Sequence, residues 1–414
     1  MRMYLLEVKR VLKSRRSILL LLIALLMSAA IAWLPVMFVD INQFDENGGK
    51  VAELNGLGAI SHLKSLRSNY NGAVTPEKLK EALEAYQNVV APYGEESIYS
   101  GEFPIALYQK IIPVESLLGR LPEAFADPKT GQAKSKMDIS LDDIDHFYEQ
   151  THDRLKTVMR MEQEQYPSAL EHALQKYEKV QTPFQLYAGY TRDAFDYIIF
   201  FIFILVMLCT AAATPTFSGE YQTGSDSILR CTKYGRSRLA IVKISAALTI
   251  FTITFAVCIS LHLLISNIAF GLECMKTSMQ MLFSVTSLPA LNLGQLQTIL
   301  AIGGLLSLLA TISFTLFLSA KFKDSLTVVL IAIAMCLLPS FVYSAFGANW
   351  FSFILPSAGI GMMNSLLYQL AGFEYLHIGQ ASIWTPYVMM AAAVIEIPVF
   401  IFLAIRTYHK HQVS

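Results

Sequence analysis

The sequence predicts an all-α polytopic membrane protein with six transmembrane helices and a mainly helical extracytoplasmic domain inserted between the first and the second. The 414 residues are 54% hydrophobic and 15% charged, with a mean hydropathy of +0.45, which is too apolar for a soluble chain. Apolar runs long enough to cross a hydrocarbon core of about 30 Å recur along the chain. Clusters of Lys and Arg fall between alternate runs, which indicates the orientation of each run by the positive-inside rule.

Residues 1–16 are expected to form an amphipathic helix on the cytoplasmic surface, because apolar and charged residues recur at helical spacing. The apolar face holds Tyr4, Leu5, Val8, Val11 and Leu12, and the charged face holds Arg2, Glu7, Lys9, Arg10 and Lys13. Residues 17–39 form the first predicted span. A cleavable signal peptide ending near Ala30-Ile31-Ala32 is the alternative, since it shares the basic start and the apolar core. The apolar run continues past this tripeptide and further spans follow, which favours a span.

Residues 40–193 are the only long polar segment, and their acidic residues clearly outnumber their basic ones. Thr75 is expected to cap a helix that has Pro76 at its first position. A second helix is predicted to begin at Ser140 and to end or kink at Pro167. Because the alternation typical of strands is scarce, we expect a mainly helical domain on the extracytoplasmic side.

The remaining apolar runs predict five further spans. These are 194–215, 239–265, 296–320, 325–346 and 385–405, with a cytoplasmic loop at 216–238, outer loops at 266–295 and 347–384, and a cytoplasmic tail at 406–414. Six spans place both termini in the cytoplasm, with the protein in the plasma membrane. Gly303-Gly304 in the fourth span is expected to let a neighbouring helix approach closely. Breaks at Pro356, Gly359 and Gly361 predict short helices that dip into the outer leaflet, which requires their backbone groups to be buried in protein.

The loop at 216–238 is the most informative segment. Its charged residues are Arg230, Lys233, Arg236 and Arg238, against Glu220 and Asp226. This excess of positive charge predicts a cytoplasmic location. Lys243, at the inner edge of the third span, is expected to extend its stem toward the lipid headgroups.

This loop and the order of the spans resemble the permease subunits of ABC-2 type ATP-binding cassette exporters. The matching residues are Glu220, Gly224, Ile228-Leu229, Tyr234-Gly235-Arg236 and Lys243. They follow the family's order of an acidic residue, a glycine, an apolar helix and a basic turn before the next span. The resemblance implies an inner-surface helix, a coupling helix in this loop and re-entrant helices before the sixth span. Compact members have a short connection after the first span, where this chain inserts residues 40–193. The resemblance therefore does not define the substrate path of this chain or any partner on the outer side.

The resemblance also implies partners. These are a cytosolic ATPase subunit that binds ATP and Mg, a second permease, identical or different, and the lipid bilayer around both. The ATPase-coupling residues that it implies are Glu220, Tyr221, Gly224, Ile228, Leu229 and Arg236. In this hypothesis, closure of the ATPase pushes the helix at 220–232 and the helix at 1–16, and spans one, two and five shift to export a peptide, a lipid-like molecule or an amphipathic drug-like molecule. Alternatively, the loop only orients the chain, and Glu220 either contacts the ATPase or solvates the loop.

Two ionisable residues fall within predicted spans. Glu396 lies in the sixth span beside Pro398, at a depth where a charge is costly. It is either a proton or cation relay, or a structural carboxylate that bonds to a neighbouring helix or stays protonated. His262, near the outer end of the third span, is expected to be an interfacial or helix-bonded residue rather than a ligand.

The chain carries no GxxxxGK phosphate loop, no HExxH and no GxSxG elbow, so we expect no catalysis, cofactor, metal or nucleic acid on this chain. Its five Cys follow no metal or disulfide spacing. Two alternative functions remain. One is a mechanotransmission ABC subunit, which has four spans and whose outer domain acts on cell-envelope partners. The other is a membrane receptor whose outer domain binds a ligand without any ATPase. An intramembrane enzyme using Glu396 and His262 would lack a paired catalytic motif.

Overall fold

The fold is mainly helical, as predicted. A computed structural model describes residues 2–45, 49–95, 97, 105–232 and 235–411. In chain order the α-helices are α1 Arg2–Lys13, α2 Arg15–Met37, α3 Leu57–Arg67, α4 Pro76–Val90, α5 Ile105–Leu118, α6 Leu121–Ala124, α7 Phe147–Glu162, α8 Pro167–Tyr177, α9 Arg192–Ala213, α10 Pro215–Thr223, α11 Ser225–Arg230, α12 Ser237–Phe270, α13 Met279–Leu282, α14 Leu293–Lys321, α15 Ser325–Phe346, α16 Trp350–Ile354, α17 Leu366–Ala371 and α18 Thr385–Lys410. Single 3-10 turns lie at Ser68–Tyr70, Asp143–His146 and Leu272–Lys276.

The described residues also contain three two-stranded antiparallel sheets, which the all-α prediction misses. The strands are β1 Asp40–Phe44, β2 Lys50–Asn55, β3 Gly72–Ala73, β4 Gln185–Leu186, β5 Tyr375–Ile378 and β6 Ala381–Trp384, paired as β1–β2, β3–β4 and β5–β6. The β5–β6 hairpin turns at Gly379, whose φ of 61° suits a glycine in a tight two-residue turn. It leads directly into α18.

Six of the described helices are long and apolar enough to cross a membrane, which is the predicted number. They are α2, α9 continued by α10, α12, α14, α15 and α18. The second and fourth are the most enclosed, with 61% and 67% of their most apolar segments buried, against 17% to 33% for the others. These two helices therefore form the centre of the bundle, and the other four present apolar surface outward.

Gly303 and Gly304 on α14 permit close helix packing at this centre, as the sequence predicts. A Cβ atom at Gly304 would lie 3.0 Å from Ile202 of α9 and 3.1 Å from Phe255 of α12. Interiors packed at crystal-like density have no room for the extra methyl group. The glycine pair thus sets the distance between α14 and its neighbours.

The polar segment between α2 and α9 supplies most of a second hydrophobic cluster. Thr75 caps α4 as predicted, because its side-chain oxygen accepts a hydrogen bond from the amide of Lys78. Pro76 occupies the first turn of that helix. Leu79 of α4 is fully buried in the same cluster as Phe147 of α7. Two residues from α13 and the loop after it enter this cluster, and the later part of α7 joins the main core, so the segment is packed against the rest of the chain.

The second predicted helix begins later than expected. Ser140 precedes a turn at residues 141–142, and its hydroxyl accepts a hydrogen bond from the amide of Asp142. A 3-10 turn at Asp143–His146 then precedes α7. Side chains that bond to nearby amides offer the backbone an alternative to a helix, which explains the shifted start. Pro167 opens α8, a position where its missing N–H costs nothing.

Residues 350–371 hold two short helices, α16 and α17, joined by an irregular stretch. The main-chain oxygens of that stretch accept hydrogen bonds from α14: Ser307 donates to Ala358 at 2.8 Å and Thr311 donates to Pro356 at 3.1 Å. Such satisfaction by protein groups is what irregular backbone needs at membrane depth. The predicted re-entrant segment is therefore physically sustainable, and the side of the membrane on which it lies stays a prediction.

Candidate functional site

Glu220 of α10 lies in a charge cluster, defined here as Glu7, Arg10, Glu220 and Lys243, in which Glu220 and Lys243 are buried and Arg10 is exposed. Its carboxylate is bonded to Arg10 of α1 and to Lys243 of α12. Glu7 lies 2.9 Å from Arg10 and 3.7 Å from Lys243. Glu220 is 5% exposed and Lys243 is 1% exposed. Two acidic and two basic groups balance, and buried charges persist only when they are paired in this way. The charge cluster ties α1, α10 and α12 together.

This arrangement corrects the expectations for Lys243 and Glu220. Lys243 does not extend to the headgroups, because its ammonium group is buried and bonded to Glu220. Glu220 does not solvate the loop, because it faces the interior. The sequence shows that Lys243 is near the end of a span but not that an acidic residue 23 positions earlier meets it. Glu220 is consequently a residue that positions α1 and α12.

The bundle meets α1 at part of its predicted charged face. Glu7 and the guanidinium of Arg10 turn toward the bundle, whereas Leu5 is 57% exposed and Leu12 is 46% exposed. Helical periodicity separates two faces but does not say which face meets a neighbour. Here the pairing of Arg10 with Glu220 and of Glu7 with Lys243 orients this side of α1 toward the bundle.

Gly224 joins α10 to α11 in the left-handed conformation, with φ 68° and ψ 4°. Its amide donates to the oxygen of Tyr221. Left-handed geometry at a helix end favours glycine, and a Cβ atom there would meet nothing within 4 Å. The predicted glycine turn is therefore present, and α11 follows it as a helix of six residues.

Ile228 and Leu229 of α11 point in different directions. Ile228 is 74% exposed, whereas Leu229 is partly buried against the main hydrophobic core. An isoleucine so exposed on a short, anchored helix is an apolar projection that a partner could cover. Leu229 fixes the helix on the bundle.

The last turn of α18 holds α11 in place, a contact that the sequence did not predict. Arg230 donates to the main-chain oxygens of Tyr408 at 2.5 Å and His409 at 3.3 Å. Tyr221 stacks on His411, with ring centroids 4.2 Å apart. Unpaired carbonyls at a helix end attract cations. The sequence signal for this contact is the group Tyr408, His409 and His411 in the segment predicted to be a cytoplasmic tail.

The start of α15 is joined to α10 by polar side chains. Gln222 donates to Asp324 at 2.9 Å, and Ser218 and Ser325 share a hydrogen bond of 2.8 Å. Asp324 also caps α15 by accepting from Thr327, and these bonds hold the pKa of its carboxyl below the ordinary value. Segment 215–230 thus contacts α1, α12, α15 and α18.

The basic turn before α12 is only partly described. Arg236 is exposed and its main-chain oxygen accepts from Ala240 at the start of α12. Lys233 and Tyr234 lie outside the described residues. The expected role of Arg236 in coupling stays a prediction.

The two ionisable residues in the spans differ in their surroundings. His262 is buried inside the bundle, not at its edge, and stacks on Phe201 of α9 with ring centroids 4.8 Å apart. Glu396 is partly buried on α18, and its Oε2 has no hydrogen-bond partner among the described residues. In the described part of the chain, no three His, Cys, Asp or Glu residues are arranged to hold a metal ion. A structural bond from Glu396 to a neighbouring helix is therefore not seen at this oxygen.

Six apolar helices, four of them around two enclosed ones, define a multi-pass helical membrane protein in which segment 215–230 is anchored to several spans. The chain belongs to the ABC-2 transporter family, since the family model described as "ABC-2 family transporter protein" matches residues 1–413. A comparison with curated proteins found no match. Membership confirms the resemblance stated above and implies a permease subunit that associates with an ABC ATPase and the membrane.

Proposed function

We propose that this permease is the membrane-spanning subunit of an ATP-driven exporter, and that segment 215–230 receives the movement of a cytosolic ATPase. The observation that carries the proposal is the exposed Ile228 on a helix whose two ends are fixed. Glu220 lies on one side of the glycine turn in the charge cluster, and Arg230 binds the end of α18 on the other. A push on Ile228 would therefore reach several spans through stiff contacts.

The contacts suggest the route of that movement. Glu220 is paired with Arg10 of α1, and α1 is followed through Ser14 by α2. Gln222 is hydrogen-bonded to Asp324 at the start of α15, and Arg230 is hydrogen-bonded to the end of α18. The first, second and fifth spans are those that the hypothesis from the sequence expects to shift. Our proposal adds the third span through Lys243 and the sixth span through Arg230.

The cargo proposed is a peptide, a lipid-like molecule or an amphipathic drug-like molecule, because the helices that would line a route between two permeases are apolar. Exposed apolar residues occur along α2, α15 and α18, for example Leu26, Leu330 and Ile395. ATP and Mg would bind the partner ATPase, and both termini of this chain would lie in the cytoplasm. A receptor without an ATPase is set aside, because the family is one of transporters.

The proposal is tested by replacing the exposed Ile228 with a charged residue. Ile228→Asp should abolish co-purification of the ATPase and its stimulated ATP hydrolysis in proteoliposomes, because the partner would have to bury a carboxylate. Ile378→Asp is the matched control, since Ile378 is also an exposed isoleucine, at 60%, but lies on the β5–β6 hairpin. Equal ATPase association by the two variants would contradict the proposed contact.

Mechanotransmission is a second candidate function. It is favoured by the contacts between the polar domain, residues 40–193, and the β5–β6 hairpin. Ser168 of α8 donates to the oxygen of Gln380 at 2.7 Å, and His172 lies 3.1 Å from the oxygen of Ser382. Lys176 lies over the ring of Trp384 at 4.4 Å. Movement of α18 would therefore move the domain.

Sealed liposomes that contain only this permease and its ATPase distinguish the two candidates. An exporter moves a labelled amphipath or peptide across the bilayer when ATP is supplied. A mechanotransmission subunit hydrolyses ATP without any crossing, while hydrogen exchange in the β5–β6 hairpin changes with the nucleotide. The number of spans already argues for export, since six helices of spanning length are present rather than four.

A further inference from the structure

Three aromatic side chains lie together where the β5–β6 hairpin runs into α18. Tyr375 of β5 is paired directly with Trp384 of β6, and residues directly opposite each other in an antiparallel pair place their side chains on the same face. The rings of Trp384 and Tyr387 are perpendicular, with centroids 5.5 Å apart. Burial, and the neighbouring Tyr387, raise the pKa of the Tyr375 hydroxyl above its ordinary value. The three residues form one group, the aromatic cluster.

Lys176 of α8 places its ammonium group against the aromatic cluster. Its Nζ lies 4.4 Å from the centre of the Trp384 ring and 4.2 Å from that of the Tyr387 ring, and it donates to the Tyr387 hydroxyl at 2.5 Å. Within the described part of the chain, Lys176 has no carboxylate partner. The negative faces of aromatic rings attract cations, and groups of such rings recognise ammonium ligands. The aromatic cluster thus has the geometry of an ammonium site that the chain fills with its own lysine.

Two donors of the aromatic cluster are left unsatisfied by this lysine. The indole Nε1 of Trp384 and the hydroxyl of Tyr375 have no hydrogen-bond partner among the described residues, although the two residues are only 5% and 4% exposed. Buried polar groups are normally hydrogen-bonded, because an unpaired one costs free energy. Lys176 cannot accept from either group, since an ammonium group has donors and no acceptor. A more complete occupant would carry an acceptor oxygen beside its ammonium group.

We propose that the aromatic cluster is a binding site for an amphipathic ammonium ligand that also carries an acceptor oxygen, and that Lys176 occupies the site when this ligand is absent. Tyr387 is 56% exposed, which opens one side of the site to the surface. It lies in the first turn of α18, a helix of spanning length, so an apolar tail on the ligand can lie in the membrane. The ligand is either a zwitterionic lipid headgroup or a soluble amphipath with the same two groups.

Ligand and lysine exclude each other, because both need the faces of the same rings. Lys176 is one of the contacts between the polar domain and the hairpin, together with Ser168 and His172. Binding would therefore loosen α8 from the start of α18. The proposal concerns binding alone, so it succeeds or fails independently of the ATPase contact at Ile228.

Trp384 itself reports whether the site is occupied. The chain has three tryptophans, so Trp33→Phe/Trp350→Phe leaves Trp384 as the single indole of the full-length protein. In an uncharged detergent, octylphosphocholine below its micelle concentration should change the Trp384 emission saturably. Octyltrimethylammonium, which lacks the acceptor oxygen, should bind more weakly. Octyl phosphate, which lacks the ammonium group, should give no saturable change.

Variants of two lysines separate competition from packing. Lys176→Ala removes the internal occupant and should raise the affinity for octylphosphocholine about tenfold, the order of a cation–π contact that no longer competes. Lys179→Ala, at an exposed lysine just after α8, should leave the affinity unchanged. Tyr387→Leu should weaken binding, whereas Tyr387→Phe keeps the ring and should retain most of it.

Nanodiscs distinguish the two sources of the ligand. If phosphatidylcholine headgroups fill the site, octylphosphocholine should bind more weakly in phosphatidylcholine nanodiscs than in phosphatidylglycerol nanodiscs. Equal affinity in both assigns the site to a soluble amphipath. A Trp384 response to octyl phosphate as strong as that to octylphosphocholine, or an unchanged affinity in Lys176→Ala, would overturn the proposal.

Discussion

Arg230 of α11 donates a hydrogen bond of 2.5 Å to the main-chain oxygen of Tyr408 in the last turn of α18. Its guanidinium also lies 5.0 Å from the centre of the Tyr408 ring. The carbonyl groups in the last turn of a helix have no partner within that helix, and the helix dipole makes the site negative. Arg230 therefore fastens the segment that carries Ile228 to the end of α18, where Tyr221 also stacks on His411. This contact joins the loop to the sixth apolar helix.

Removing that link should free the end of α18. Arg230→Gln should weaken the last turn by about 2 kcal/mol, the order of a hydrogen bond to a charged group, and faster hydrogen exchange of residues 403–411 would report it. Arg230→Lys keeps the charge but not the fork of donors, so its effect should be intermediate. Unchanged exchange in Arg230→Gln would show that other contacts hold the helix.

The charge cluster predicts a non-additive pair of substitutions. Glu220→Gln alone leaves Lys243 buried with only the more distant Glu7 as counterion, and should cost about 3 kcal/mol, since breaking a buried pair leaves an uncompensated charge. The double variant Glu220→Gln/Lys243→Met leaves Glu7 and Arg10 as a balanced pair. Its loss of thermal stability should therefore be smaller than that of either single variant.

A double-mutant cycle of thermal unfolding in detergent measures this coupling. Lys243→Met completes the cycle as the second single variant. If the effects of the two substitutions simply add, the carboxylate and the ammonium group do not stabilise each other, and the structural role given to Glu220 is wrong.

The glycine turn predicts an effect on coupling that exceeds its effect on stability. Gly224→Ala should cost about 1 kcal/mol, because left-handed backbone is unfavourable for residues with a Cβ atom, although no atom obstructs it. Gly224→Asn should be tolerated better. Gly94 also has a positive φ, 76°, and open space around it. Gly94→Ala should reduce thermal stability comparably and leave ATPase stimulation intact, whereas Gly224→Ala should reduce that stimulation.

The contact between the polar domain and the β5–β6 hairpin should weaken in acid. His377 bonds to Ser382 at 2.9 Å and to Gln163 at 3.1 Å, and stacks on Tyr166. Burial lowers the pKa of the His377 ring below its ordinary value, which is about 6.5. Protonation of His377 therefore favours the state in which the hairpin is detached from the polar domain. The stabilisation of this contact is present above about pH 6.5 and is lost as the pH falls through the folded-state pKa of His377.

Hydrogen exchange of the hairpin amides, corrected for the intrinsic effect of pH, measures this loss. His172 and Lys176 face the same hairpin, so the variant His377→Gln is needed to assign the effect. Wild type should lose protection between pH 7.5 and 5.5, values chosen to lie about one unit on either side of the ordinary histidine pKa. His377→Gln should lose much less, and an equal loss in both proteins would implicate another group.

The sequence predicts the membrane helices well because their signal is local. Length and hydropathy suffice for the six apolar helices, and Thr75 and Gly224 carry helix-end signals that act within a few residues. The β5–β6 hairpin carries a weaker local signal, a glycine between two short runs, of which only β6 alternates between exposed and buried residues. That signal was obscured by the apolar composition around it.

The candidate site was predictable only in part, because its important contacts join residues far apart in sequence. Gly224 and Ile228 follow from the pattern of the loop. The pairing of Glu220 with Arg10 and Lys243, and that of Arg230 with Tyr408, depends on how α1, α12 and α18 pack. No periodicity within one helix contains this information.

The most direct test of the central claim places a photo-crosslinking residue at position 228 in the full-length protein, expressed with its neighbouring genes. The account predicts an adduct with an ABC ATPase at position 228, and no such adduct from the same residue placed at position 378. Absence of an ATPase adduct at 228, or labelling of the exposed Cys231 by a membrane-impermeant thiol reagent added to intact cells, would contradict it.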